Sequence, residues 1–373
     1  MDRKKYLKNV KRIVVKIGTS TLTYDTGLLN VERIEKIVRQ IVNLKNKGYE
    51  IVLVSSGAVG AGLGVLKNFE RPVSIPKKQA IASVGQVALV HLYQKLFLEY
   101  GKNIAQILLT RSDVEDRRRY LNARDAFFTL LENDVIPIVN ENDSVITDEI
   151  KVGDNDTLSA LVSNLVDADL LIILSDIQGL YDKNPLESDN AKLINTVKDI
   201  KDVRKYASES STKHGTGGMI TKLKAADIVN TYGTDMIVAK GSCKNILNKI
   251  LNFERVGTIF VKNKNTINAK QQWIGFNSKI KGELIIDKGA KEAILNNKSL
   301  LPVGIKAIKG FFDRGETIGI YDENHNEIAR GLVNYDHKSL QKIIGLNSEY
   351  IYQKLGYKDY DEVVHINNMM IKE

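Results

Sequence analysis

The sequence predicts an α/β fold, a parallel-rich sheet sandwiched by helices, followed by a small, mostly-β C-terminal domain. Three observations carry this. Short apolar runs rich in Ile, Val and Leu alternate with helix-spaced segments up to about residue 260, the pattern of a parallel sheet covered on both faces. Four of those runs stop in clusters of Gly, Asp, Asn, Ser or Lys: RIVVKIGTS (12–20), EIVLVSSGAVGAG (50–62), VIPIVNEND (135–143) and LLIILSDIQGLYDKNP (170–185). In open parallel sheets the ligand sits outside the carboxyl ends of the strands, so polar chemistry lies where such sheets hold ligands. Finally, the texture changes around 261–280 to a polar, Lys/Asn-rich stretch containing Trp273, the one tryptophan, after which short strands with turn signals follow.

The first element is a buried strand at 12–17. NVERIEKIVRQIVNLKNKG (30–48) places Val31, Ile34, Ile37, Val38, Ile41 and Leu44 at helical spacing, with Gly48 as the stop. A strand at 51–54, a helix at 77–101, a strand at 104–110, a helix at 117–133 and a strand at 135–139 continue the alternation. A helix at 157–168, a strand at 169–174, a helix at 222–233 and a strand at 236–241 complete it. Residues 1–260 are taken as one domain, 261–280 as a linker, and 281–373 as a mostly-β domain with GELIIDKGA, PVGIKAIKG and ETIGIYDENHNEIARGLV as strand regions and a helical stretch at 339–356. Met369 and Met370 read as tail or core residues.

Composition narrows the function classes. Cys243 is the one cysteine among 373 residues, so no intrachain disulfide framework exists, as in a reducing cytosol. No run approaches the ~18 apolar residues of a membrane span, and the basic N-terminus lacks a signal-peptide core; a cytoplasmic protein without a membrane contact is expected. The net charge of +9 fits either nucleic-acid binding or scattered lysines serving an anionic substrate. The five histidines show no ligand spacing and no EF-hand pattern is present, so no metal-ligating residue is nominated.

The candidate site residues sit at the run ends. Lys16 closes the first strand beside Gly18, placed to meet a phosphate oxygen; a rim lysine facing solvent has the same appearance. No Walker sequence accompanies it. SSGAVGAG, with Ser56 and Gly57, makes a strand-to-helix turn whose free amides suit anions. Asn140, Asp143, Asp154, Asn155 and Asp156 form two polar clusters. Asp156 is placed to cap a helix starting near Thr157, yet two clusters at corresponding positions exceed what caps require. They suit a cationic ammonium group or the orientation of lysines. Ser175 and Asp176 end another run. GTGGMITK (215–222) puts glycines before a helix with Lys222 in its first turn, an arrangement able to share a polyphosphate.

Together, VVKIGTS, VSSGAVGAG, QILLTRSDVEDRRRYLNARD, PIVNENDSV, EIKVGDNDTLSAL, LSDIQGLY, GTGGMITKLKAAD and GTDMIVAKGS, in that order, resemble the amino acid kinase family; the likeness runs from about Arg12 to Met369. The segment from Lys281 resembles a PUA domain, known from RNA-modifying enzymes. Ser175 stands where the family often has threonine and keeps the hydroxyl. The resemblance implies ATP-dependent phosphorylation of the side-chain carboxylate of L-glutamate, opening proline synthesis, with Mg²⁺, feedback inhibition by proline and a homo-oligomer. It puts Lys16, Ser175, Asp176 and the run Thr216, Gly217, Gly218, Met219, Ile220, Thr221 and Lys222 on ATP. Ser56, Asp143 and Asn155 fall on glutamate, Asp156 organises the two catalytic lysines, and Gly18 and Gly57 let backbone amides reach the phosphoryl oxygens. Two alternatives stay open: a relative acting on N-acetylglutamate or aspartate, and an RNA-binding protein working through its C-terminal domain.

Overall fold

The computed structural model describes residues 3–24, 26, 28–66, 74–145, 154–185, 188, 190–206, 218–262 and 280–372. The chain divides into two compact units, the first formed by 1–114 and 120–266, the second by 267–373 with 115–119. The linker segment with Trp273 lies outside the described residues.

In the first unit the elements run α1 (Lys4–Leu7), β1 (Arg12–Ile17), α2 (Thr19–Leu22), α3 (Val31–Asn46), β2 (Glu50–Ser55), α4 (Ala58–Leu66), α5 (Ile75–Leu98) and β3 (Ile104–Leu109). Then come α6 (Arg111–Glu115), α7 (Arg117–Glu132), β4 (Ile136–Glu141), α8 (Asn155–Leu165), β5 (Leu170–Ser175), β6 (Thr196–Val197), α9 (Met219–Thr231), β7 (Asp235–Lys240), α10 (Ile246–Leu251) and β8 (Thr258–Phe260). The sheet order is β3-β4-β2-β1-β5-β7-β8-β6. All pairings are parallel except β7 with β8, so the expected parallel-rich sheet is present with one antiparallel step near its edge.

The helices follow from local chemistry. Asn30 caps α3 by accepting from the Arg33 amide at 3.1 Å, and Gly48, at φ +88, turns the chain out of it. The apolar stripe of α3 packs with Ile13, Val15 and Ile17 of β1 and with Leu89, Tyr93 and Phe97 of α5 in one core. The other face of the sheet carries α8 against β1 and β5 and α9 against β7. Arg3 closes the far edge: its buried guanidinium donates to the carbonyls of Asn195, Glu254, Val256 and Gly257.

One expectation needs qualifying. Among the described residues α5 is long and apolar enough to cross a membrane by length and composition. Polar residues interrupt its apolar run. Its buried positions Ile81, Ala82, Gly85, Leu89, Tyr93 and Phe97 recur along one stripe, as a sheet-covering helix requires.

In the second unit β9 (Gly282–Ile286), β10 (Ile305–Gly310), β11 (Thr317–Tyr321), β12 (Glu327–Leu332) and β13 (Met369–Ile371) form a sheet in the order β10-β9-β11-β12-β13. Only β9 with β11 is parallel. Two details differ from the sequence reading. The strand read through residue 290 stops at Ile286, because Asp287 caps a helix at Lys288–Leu295, accepting from the Ala290 amide at 2.7 Å. The helical stretch at 339–356 is broken: a helix at His337–Ile343 ends before Gly345, at φ +74, and a shorter one at Ile351–Leu355 stops at Gly356, at φ +77. Met369 is fully buried in β13, which settles it as core.

α4 and α5 touch backbone to backbone. A Cβ on Gly85 would lie 1.8 Å from the Ala58 carbonyl oxygen, and one on Gly62 would lie 2.0 Å from that of Ile81. Neither helix can yield without moving the turn that opens α4. Gly85→Ala is therefore expected to cost about 2–3 kcal/mol, read as a lower urea midpoint at unchanged slope; a midpoint equal to wild type would show that the contact relaxes freely.

Candidate active site

The first turn of α8 is the hub. Asp154 caps the helix, its Oδ1 accepting from the Thr157 amide at 2.8 Å and its Oδ2 from the Thr157 hydroxyl at 3.1 Å. The cap role open to Asp156 in the sequence thus falls two residues earlier, which frees Asp156 to turn inward, where it is 1% exposed. Lys16 Nζ, from β1, stands 2.7 Å from Asp156 Oδ1, and Lys222 Nζ, from α9, stands 3.2 Å from Oδ2. The Thr221 hydroxyl donates to the same Oδ2 at 2.8 Å. Both lysines are themselves buried. Burial opposes ionisation of Asp156, but the two ammoniums outweigh it and hold the carboxyl below its ordinary range.

One residue earlier, Asn155 points to the neighbouring strand ends. Its Nδ2 lies 2.9 Å from Ser56 Oγ, 3.0 Å from Asn140 Oδ1 and 3.2 Å from the Ser55 carbonyl. Asn140 in turn donates to Gln86 of α5 at 2.8 Å. Adjacent residues of one helix therefore join two clusters, a cationic clamp over β1 and an amide–hydroxyl cluster over β2 and β4. Asp143 follows β4, half-buried, two residues past its end.

The remaining candidates divide. Ser175 and Asp176 close β5, the serine hydroxyl donating to Asp176 Oδ1 at 2.9 Å. Gly218 precedes α9 with Met219, Ile220, Thr221 and Lys222 in its first turn; Thr216 and Gly217 lie outside the described residues. Gly57 has φ +97, a backbone only glycine adopts freely, and it opens α4. Gly18 is different: its amide donates to the Leu174 carbonyl at 3.1 Å. A Cβ there would make only ordinary contacts, 3.4 Å from the Leu174 carbonyl oxygen and 3.6 Å from Lys16 Nζ.

Some participants were not singled out in the sequence. Ser55 and Tyr93 are both buried, Ser55 Oγ lying 3.0 Å from Tyr93 OH, and burial pushes the phenol above its ordinary range. Tyr93 reads as one more apolar helix position and nothing local marks it; Gln86 is equally silent.

The amino acid kinase family model matches residues 11–240 and the PUA domain model residues 282–354. The chain belongs to the amino acid kinase family. Among its relatives, the glutamate 5-kinase of a Thermoanaerobacter sp. is 52% identical over 364 residues, 97% of this chain and 98% of that protein. The glutamate 5-kinase of Moorella thermoacetica is 45% identical over 367 residues, 98% of this chain and 97% of that protein. Among solved structures, a carbamate kinase from Giardia lamblia bound to AMP-PNP superposes with a TM-score of 0.50 at 18% identity, covering 68% of this chain and 99% of that one; that likeness concerns the fold alone.

The clamp makes a pH prediction. Because the folded-state pKa of Asp156 is lowered, its ionised form stabilises the fold fully above the unfolded value near 4, and this stabilisation is lost as pH falls through the lower folded value. Asp156→Asn removes the shared carboxylate charge from two buried ammoniums, a loss of roughly 3–5 kcal/mol near neutral pH. Urea melts of both proteins are expected to show that gap closing below about pH 4. A gap of constant size across pH would mean that the carboxylate charge is not what matters.

Proposed function

We infer that the protein phosphorylates the side-chain carboxylate of L-glutamate with ATP, giving L-glutamyl 5-phosphate and opening proline biosynthesis. The observation that carries this is the hinge at α8. A buried carboxylate holds two lysines at the end of β1 and the start of α9, and the adjacent Asn155 gathers Ser56 and Asn140 one strand away, in a chain of which 97% aligns with glutamate 5-kinases.

The chemistry asks little of acid–base groups. A glutamate side chain with a pKa near 4.3 is already ionised at neutral pH. The barrier lies in bringing that anion to a polyphosphate and in stabilising charge on the moving phosphoryl group, so catalysis is mainly positioning and electrostatics. Lys16 and Lys222 take the phosphoryl charge. Asp156 keeps both ammoniums aligned and offsets part of their mutual repulsion. Lys222, Thr221 and the preceding turn, with Ser175 and Asp176, hold the nucleotide. Ser56 and Asn155 orient the acceptor, and Asp143 pairs with its ammonium. Tyr93 acts through Ser55: by fixing the Ser55 hydroxyl, it fixes the strand end from which Ser56 projects.

Mg²⁺ is expected with ATP. Among the described residues no three His, Cys, Asp or Glu side chains converge, and Asp156 is already taken up by two ammoniums. An ion held mainly by the polyphosphate and by water needs no such cluster. Feedback by proline and a homo-oligomer rest on the family resemblance. The domain assignment is that residues 1–260 carry the chemistry and 281–373 form the PUA-like domain, where RNA contact is proposed.

Two predictions separate this reading from its neighbours. In an ADP-release assay, glutamate is expected to outcompete N-acetylglutamate, aspartate and carbamate, and Asp143→Asn is expected to raise KM for glutamate with little change for ATP, because breaking one side of a desolvated charge pair costs about 2–5 kcal/mol. Preference for the acetylated acceptor, or a rise in the ATP KM alone, would overturn the assignment. Tyr93→Phe removes one hydrogen bond and keeps the ring; losing about 0.5–1.5 kcal/mol of positioning should raise KM for glutamate several-fold at unchanged ATP KM. Loss of thermal stability with both KM values intact would mean the tyrosine only packs.

A further inference from the structure

Asn140 and Asn155 supply two side-chain amides to the cluster over β2 and β4, and backbone groups fix which way each one faces. The Glu141 amide donates to Asn140 Oδ1 at 2.9 Å. A backbone N–H only donates, so this end of the Asn140 side chain is its oxygen. Asn155 Nδ2 lies 3.2 Å from the Ser55 carbonyl, which only accepts, so that end is the nitrogen. The bond between the two side chains, from Asn155 Nδ2 to Asn140 Oδ1 at 3.0 Å, agrees with both.

The polarity carries through to a third amide. Asn140 is 3% exposed, so bulk water does not serve its Nδ2. Gln86 Oε1 of α5, 2.8 Å away, is its acceptor; among the described residues no other acceptor reaches that nitrogen. Without this oxygen a buried donor is left unpaired, which is costly, and Asn140 relieves the cost by turning. A turned Asn140 faces Asn155 with N–H groups, donor against donor. That contact displaces Asn155 from Ser56 Oγ, now 2.9 Å away.

The helix that brings Gln86 is itself fixed. Gly85, the residue before it, lets α5 meet α4 backbone to backbone at the Ala58 carbonyl, and α4 opens just after Ser56 and Gly57. One turn earlier on α5, Ser83 Oγ lies 3.0 Å from Ser144 Oγ. Asn140 and Ser144 stand on either side of Asp143 in the chain. α5 therefore ties down both flanks of Asp143 as well as the turn that carries Ser56, and Gln86 is its link to the amides.

We propose that Gln86 is a positioning residue for the carboxylate acceptor, its Oε1 holding Asn140, and through Asn140 the amide of Asn155, in the orientation the acceptor meets. This rests on the acceptor site proposed above.

Steady-state kinetics of the full-length protein test it, using the carboxylate acceptor that wild type turns over fastest. Gln86→Met keeps the side-chain length and removes the acceptor oxygen. It is expected to raise the acceptor KM at least about fivefold, the scale of one lost positioning hydrogen bond, at unchanged ATP KM. In an Asn140→Ala background the same substitution is expected to change the acceptor KM by less than about twofold, because coupled residues are not additive and no amide remains to be held. Should Asn140→Ala fail to fold, Asn155→Ala is a second background with the same expectation. A wild-type acceptor KM in Gln86→Met, an equal rise in both KM values, or losses that add in full across the cycle overturn the proposal. Lower thermal stability with both KM values intact also overturns it, since the glutamine then only packs. A raised acceptor KM in Asn155→Ala but not in Gln86→Met rejects Gln86 and keeps the acceptor site. An unchanged acceptor KM in Asn155→Ala overturns that site and the relay with it. A wild type that prefers an acceptor other than glutamate overturns the glutamate reading, and Gln86 is then judged on that acceptor's KM.

Discussion

The Asp156 carboxylate, buried between two lysines, is the interaction on which the rest of the site depends. Burying one ion is costly, and burying three is tolerable only when geometry is good and the remaining polar atoms are bonded. Here the partners come from β1 and from two helices, α8 and α9, so the clamp forms only when the sheet is assembled and both helices are seated. The cluster carries one net positive charge at the carboxyl edge of the sheet. On the proposed assignment, an incoming phosphoryl group meets preorganised cations rather than having to attract mobile ones, so reorganisation at the moment of transfer is small.

That demand explains how firmly α8 is held at both ends. Its first turn is capped by Asp154. At its other end the Arg124 guanidinium donates to the Leu165 carbonyl at 2.7 Å and Arg12 to the Val166 carbonyl. Both guanidiniums lie over the Phe128 ring, 4.5 and 4.6 Å from its centroid. Cations at a helix C-terminus complement the free carbonyls there, and Arg12 belongs to the same strand as Lys16. The strand that brings Lys16 thus also anchors the far end of the helix that brings its carboxylate. Small errors in placement cost much in catalysis, and this double tie removes the axial freedom that would produce them.

The strand ends were legible because the period-2 and period-3.6 patterns are strong in this chain and because chemistry collects where apolar runs stop. Lys16, Ser56, Asn155, Asp156 and Lys222 all stand at such positions, and the structure brings them together in two linked clusters. What stayed hidden depends on contacts between distant segments. Which of Asp154 and Asp156 caps the helix turns on where the helix begins, and sequence leaves that open by a residue or two. Tyr93 and Gln86 lie inside an amphipathic helix and gain roles only by facing Ser55 and Asn140. The same limit applied to Gly18, where a glycine beside a lysine suggested a free amide and the fold instead spends that amide on Leu174. In the second unit, a single capping aspartate at 287 and a glycine at 345 decided boundaries that hydrophobic pattern alone placed wrongly.

Charge is divided unevenly along the chain, and this bears on what each part binds. Residues 281–373 hold thirteen Lys and Arg against fourteen Asp and Glu, so the excess of +9 resides in the part ahead of them. Binding to nucleic acid through counterion release scales with the number of phosphates neutralised, and a near-neutral domain neutralises few. Recognition of RNA there would have to rest on shape and on stacking, with exposed aromatics such as Phe311, whose ring lies 4.9 Å from that of His337. The cationic surplus instead accompanies the unit that must draw in a polyphosphate and a dicarboxylic amino acid, both anions. A field of that sign raises the local concentration of both reactants, and it puts a cost on any second anion-binding duty for the same surface, because such a ligand competes for the charge that substrate capture needs.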